Sequence, residues 1–217
     1  MKKIAILQSN YIPWKGYFDI MGSVDEFIIY DEMQYTKNDW RNRNKIKTTN
    51  GLIWLTIPVK IEKLNQKINE TKIADNKWYI KHKNSLQTNY GKATKFKECK
   101  DFIFNIYEQA SRLDYISEIN YTFLNELNKF LKISTKISFS TDYNIGEGKT
   151  ERLINICKQS NSNIYLSGPS AKNYIDEALF TKNNINLEWF DYIGYKEYEQ
   201  LYPPFEHGVS ILDLIFN

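Results

Sequence analysis

Lys3-Ile4-Ala5-Ile6-Leu7 is short, apolar and rich in β-branched residues, and a second apolar run follows at residues 27–30. Between them lie a loop, broken by Pro13, and a helical stretch at residues 16–21. This order constrains the fold more than any other feature. A strand, a crossover helix and a strand packed into roughly 30 residues form a βαβ unit, whose strands run parallel in one sheet. Ligands of open α/β sheets gather outside the carboxyl ends of the strands. Gln8 and Asp31, which follow the two runs, are therefore expected at a ligand crevice.

The rest of the chain extends the same pattern. Asn50-Gly51 suits a tight turn, so residues 43–47 and 52–57 are expected to pair as a hairpin. Residues 77–90 read as a helix, with Gly91 as its C-cap. Phe102, Ile103, Ile106 and Tyr107, then Ile116, Ile119, Phe123, Leu124 and Leu127, follow helical spacing. Further strands are expected at 137–140, 163–166 and 187–190, and helices at 150–158 and 209–216, with Ser170 capping a short helix. The fold class is α/β: a mostly parallel or mixed sheet flanked by helices, with a helical insertion at roughly 76–132, all within a single domain of 217 residues.

Composition narrows the function. A net charge of +3, with 29 basic and 26 acidic residues interspersed, argues against a dedicated nucleic-acid or membrane-surface protein. The apolar start is too short for a signal sequence and no run approaches a membrane span, so a cytoplasmic protein without membrane insertion is expected. Cys99 and Cys157 are far apart and lack metal-ligand spacing, so they read as reduced thiols, and no zinc site is expected. There is no Gly-x-Ser-x-Gly, His-Glu-x-x-His or kinase signature.

Four segments carry candidate chemistry. Residues 8–18 combine an amide, Gln8, with the rings of Tyr11, Trp14 and Tyr17, just ahead of a helix N-terminus. Residues 31–47 hold Asp31 and Gln34, then Arg41, Asn42 and Arg43, where alternation sends Arg41, Arg43, Lys45 and Lys47 to one face. Guanidinium groups there would bind phosphate or carboxylate, with Trp40 beside them as a stacking surface; a plain solvated basic edge is the competing reading. In the third segment Trp78, His82 and Ser85 share a helical face, and His82 is a candidate general base. The fourth, residues 165–174, turns from strand to helix with Ser167, Gly168 and Lys172 facing a bound anion, although it matches no phosphate-binding signature.

Together these stretches resemble the WbqC-like family of bacterial proteins. The matching segments are QSNYIPWKGYF at 8–18, DEMQYTKNDWRNRNKIK at 31–47, WLTIPV at 54–59, HKNSLQTNYG at 82–91, TERL at 150–153, YLSGPSAKNY at 165–174 and SILDLIFN at 210–217. Ser9 departs from the Gln-Pro-x-Tyr pattern expected of the family, which loosens the loop but leaves its polar groups. The resemblance implies a place in O-antigen and surface-polysaccharide clusters and a glycine transferase role, in which glycine or a similar acyl group joins the amine of an amino sugar. The implied partners are a nucleotide-linked amino sugar and a small acyl donor: ATP-activated glycine, a thioester or a charged tRNA, the one nucleic acid expected. No cofactor is assigned. On this reading Gln8, Tyr11, Trp14, Tyr17, Gln34, Arg41, Asn42, Arg43, Ser167, Gly168 and Lys172 bind substrate, and His82 or Asp31 takes the amine proton. Two other readings stay open. One is an ATP-dependent adenylating or nucleotidyltransferase-like enzyme, although its His-x-Gly-His signature is missing. The other is a non-catalytic protein that binds a polysaccharide precursor.

Overall fold

The computed structural model describes residues 1–217. Its strands are β1 (Lys3–Leu7), β2 (Glu26–Ile29), β3 (Arg43–Thr48), β4 (Gly51–Thr56), β5 (Lys136–Phe139), β6 (Ile164–Ser167) and β7 (Asn186–Trp189). Its helices are α1 (Lys15–Gly22), α2 (Trp78–Tyr90), α3 (Phe96–Ala110), α4 (Ile116–Phe130), α5 (Lys149–Gln159), α6 (Glu177–Lys182) and α7 (Ile211–Phe216). They form two compact units. The first comprises Met1–Gln8, Gly16–Glu32 and Lys132–Tyr195; the second comprises Ser9–Lys15, Met33–Leu131 and Lys196–Asn217. No helix is long and apolar enough to cross a membrane.

The first unit is built on a five-stranded sheet of order β5-β2-β1-β6-β7, with every pairing parallel. Strands of such sheets are buried on both faces, so they read as apolar runs. Ile4, Ala5, Phe27 and Ile28 are completely buried. At the amino end of β2, Glu26 is 1% exposed and ion-paired to Lys2 at 2.5 Å and Lys136 at 2.8 Å. Burial alone would raise its pKa, but hydrogen bonds from Lys136, Lys2 and Ser138 prevail and bring it down to about 2. Ser170 does not cap a helix. The chain after β6 makes a 3-10 turn, Pro169–Asn173, and Asp176 caps α6 instead by accepting from the backbone N–H of Ala178 at 3.0 Å.

The second unit pairs β3 with β4 as an antiparallel hairpin, closed by Thr49 and Asn50 with Gly51 at φ +99°, a backbone conformation suited to glycine. Its helical core follows the expected spacing: Phe96, Cys99, Ile103, Ile106, Tyr107 and Ala110 are buried on α3, and Ile116, Ile119, Phe123, Leu124 and Leu127 on α4. Gly91 ends α2 as expected, but in a right-handed conformation, φ −58°, so no left-handed cap forms there. Helix α7 is held by Phe216, whose ring centroid lies 4.9 Å from that of Phe96 and 5.4 Å from that of Tyr90.

Candidate functional site

The candidate residues fall into two groups, one in each unit. In the first unit they collect at the carboxyl edge of the parallel sheet. Gln8 follows β1, Asp31 follows β2, and Ser167 ends β6 with Gly168 next. Ile4 pairs with Tyr165, so carrying that register forward three residues sets Leu7 level with Gly168. The Tyr17 hydroxyl reaches back from α1 and donates to the Gln8 carbonyl at 2.9 Å, which fixes the β1 exit. Asp31 is a buried carboxylate, 3% exposed. Ser167 is buried, 2% exposed. Lys172 is exposed, with its Nζ 5.4 Å from the centroid of the Trp189 ring at the end of β7.

In the second unit the 9–15 loop is held from several sides. Asn44 Nδ2 donates to the carbonyls of Tyr11 at 3.1 Å and Ile12 at 2.9 Å. The Tyr11 N–H donates to the Trp40 carbonyl at 2.9 Å, and the Ile211 N–H donates to the Pro13 carbonyl at 2.8 Å. Asn120 Nδ2 donates to Ser9 Oγ and to the Arg41 carbonyl. Ile12 sits at φ +36°, a strained backbone for a β-branched residue, and persists because these contacts over-determine it.

Tyr11 and His82 form one buried chain of hydrogen bonds. His82 Nε2 lies 3.1 Å from the Thr56 carbonyl, which can only accept, so this nitrogen carries the hydrogen. In the neutral ring Nδ1 is then an acceptor, and it takes the Tyr11 hydroxyl hydrogen across 2.8 Å. The Tyr11 and Tyr107 oxygens are 2.9 Å apart, and with the Tyr11 hydrogen committed to His82, Tyr107 donates. Trp78 and Phe123 pack against Tyr11 edge to face, at 5.9 and 5.4 Å. Burial holds the His82 pKa down at about 4 and drives that of Tyr11 well up. His82 is therefore neutral at pH 7, with both nitrogens occupied and only 5% of its surface exposed.

The remaining candidates surround the hairpin. Arg41 Nη1 donates to the Ser9 carbonyl at 3.1 Å and to Asn10 Oδ1, and Arg41 Nη2 lies 3.6 Å from Asp39. Asn42 is buried and donates to the Ile57 carbonyl at 2.8 Å. Arg43 bonds to Asn38 and lays its guanidinium 4.0 Å over the Trp54 ring. Gln34 is exposed and donates to the Leu64 carbonyl, beside a groove of about 660 Å³ lined by Tyr35, Lys37, Ile61 and Lys63. Trp14 is half-buried. Lys47, expected on the open face with Arg43, is 4% exposed and bonds to Gln200 Oε1 and the Pro204 carbonyl.

The family model described as the WbqC-like protein family matches residues 8–217. The chain belongs to that family. Over its whole length it is also 51% identical to an uncharacterized protein of Mycobacterium tuberculosis, Rv1507c, covering 94% of that protein. No solved structure matches.

In this WbqC-like chain the sheet's carboxyl edge also holds Arg152, which sequence reasoning passed over. It stands on the first turn of α5, and its Nε donates to the Gly146 carbonyl at 3.1 Å. Burial raises the pKa of the Tyr30 hydroxyl, while a hydrogen bond from Arg152 and its charge pull it down. The Arg152 charge thus acts on Tyr30, the residue that follows β2. The signal was the TERL block itself, which places an arginine one turn into a helix that follows a strand. Gly148 caps that helix at φ +85°, a left-handed backbone conformation that favours glycine. No three His, Cys, Asp or Glu side chains come together as a metal site would require. Both cysteines are free and buried, and burial pushes the Cys157 thiol up to about 12, which leaves no thiolate nucleophile there.

Proposed function

We propose that this protein is a transferase of bacterial surface-polysaccharide biosynthesis, attaching glycine or a similar small acyl group to the amine of a nucleotide-linked amino sugar. One observation supports this reading above the others. The strand order β5-β2-β1-β6-β7 runs outward in both directions from β1 and β6, so the connections reverse direction between these two strands. Nucleotides bind at such a switch point, against the carboxyl ends of the flanking strands. Gln8 and Ser167-Gly168 occupy those ends.

In this reading Arg152 and Lys172 hold the diphosphate, and Gln8 hydrogen-bonds to the sugar or ribose hydroxyls. The sugar amine attacks the acyl carbon and forms the amide bond. Its proton passes to the Asp31 carboxylate, and the donor's leaving group departs with the bonding electron pair. The Gly168 turn supplies backbone N–H groups to the oxyanion. Tyr11 and His82 position the 9–15 loop, and Arg41 and Asn44 secure it.

Thermal shifts against dTDP, UDP, ATP and coenzyme A test the site, because a ligand of the folded state raises the melting temperature by mass action. The expected result is a rise with dTDP or UDP that Arg152→Ala abolishes. Incubating the protein with nucleotide amino sugars and glycyl donors should then yield a glycylated sugar by mass spectrometry, and Asp31→Asn should lower turnover while keeping the thermal shift. Stabilisation by ATP alone would favour an adenylate-forming enzyme. Stabilisation by none of the four would favour a non-catalytic accessory protein.

A further inference from the structure

We propose that the open face of the β3–β4 hairpin seats the protein on an anionic lipid surface. Trp40 and Trp54 are each 39% exposed and Leu52 is 38% exposed, although large apolar groups gain by burial. Lys45 lies opposite Trp54 and Lys47 opposite Leu52, so alternation sets Arg43, Lys45, Leu52 and Trp54 on one face. Trp40 joins Trp54 with ring centroids 5.3 Å apart. The Arg43 guanidinium lies 4.0 Å from the Trp54 centroid, and Lys45 Nζ lies 5.2 and 5.9 Å from the two indoles.

Charge selects an anionic partner. Arg43 and Lys45 are the cations of this face, Lys47 being turned in to Gln200 and Pro204, and the hairpin from Arg43 to Thr56 carries no acid. Geometry selects lipid among anions. A base or sugar needs a bare aromatic face, but the Arg43 guanidinium already covers Trp54. Leu52 gives a base or sugar nothing to stack on, yet gains by entering the acyl boundary. Indoles at headgroup depth, with cations beside them for lipid phosphates, are the composition of an interfacial contact. This is adsorption, since no helix is long and apolar enough to cross a membrane.

The test is co-sedimentation of the full chain with phosphatidylcholine vesicles, with and without phosphatidylglycerol. The expected result is binding that needs phosphatidylglycerol and weakens with salt. Lys45→Glu should weaken it about tenfold or more, and Trp40→Ala with Trp54→Ala should weaken it likewise. Lys158→Glu, an equal charge change at an exposed position of α5, should leave binding within about twofold. Melting temperatures check that each variant folds, and Leu52→Ser replaces the double tryptophan variant if that one does not. The proposal is overturned by absent sedimentation, by equal binding to neutral vesicles, or by equal losses in Lys45→Glu and Lys158→Glu. It is also overturned if the hairpin variants lose oligothymidylate binding while vesicles never pellet the protein, which would assign the face to single-stranded nucleic acid.

Discussion

The first unit buries the Glu26 carboxylate against two lysines, whereas the second buries Asp213 against neutral donors. Tyr90 and Tyr198 donate to Asp213 at 2.7 and 2.6 Å, and Gln200 at 2.6 Å. The second unit also keeps His82 uncharged inside a cluster of rings. Both solutions satisfy buried polarity, but they answer protons differently. In one, acid removes an anion that two cations need. In the other, acid forces a charge into an aromatic core.

The sharpest way to break this contrast is to remove the ring that encloses the second unit's network. Trp78 is 1% exposed, so Trp78→Ala should destabilise by about 3–5 kcal/mol. Calorimetry should show a melting point lower by roughly 10 °C. A loss below about 1 kcal/mol would mean the cluster is loosely packed. Next comes acid. The His82 pKa falls from 6.5 unfolded to about 4 folded, so its neutral form favours folding above pH 6.5. That contribution, at most about 3 kcal/mol, is lost as pH falls from 6.5 to 4. Four of the five tryptophans, Trp14, Trp40, Trp54 and Trp78, lie in the second unit, so fluorescence-detected denaturation mainly reports that unit, and His82→Gln should flatten the dependence.

Glu26 gives the matching test in the first unit. Its pKa is depressed from 4.5 to about 2, so its stabilisation is present above pH 4.5 and is lost as pH falls through that window. Glu26→Gln should cost about 2 kcal/mol at neutral pH, because Lys2 and Lys136 can still turn to water. A change in the pH 6.5–4 window instead would merge the two acid responses into one. Smallest is the α6 cap, where Asp176→Ala should cost about 1 kcal/mol by denaturant titration.

Much of the fold was legible because parallel strands announce themselves. Ile4–Ile6, Phe27–Ile29 and Tyr165–Leu166 are apolar runs bounded by polar residues, and each strand lies within one residue of its expected place. The order of the strands was not legible, since it is set by pairings such as Lys3 with Ile164 that leave no local pattern. The same limit governed the site. Gln8 and Ser167 could be placed because a strand's end is visible in sequence. Tyr11 looks alike whether its ring meets water or Trp78, and its partner Tyr107 lies 96 residues away. Ser170 resembled a cap because its type suits one, yet Asp176 had the geometry. Arg152 was missed because a lone arginine in an amphipathic helix reads as a solvated charge.

The long reach of the central strand pair also governs how the chain must be made. On the ribosome β1 can join β2 early, but its other neighbour does not exist until Ile164 has been synthesised. Until then its outer edge stays open, offering unpaired N–H and C=O groups beside apolar side chains. Closing that gap is entropically mild yet slow, because distant pairing must await the whole intervening chain. A nascent chain stalled before β6 would therefore be aggregation-prone, and this protein should depend on prompt completion of translation or on a chaperone that shields β1 in the interval.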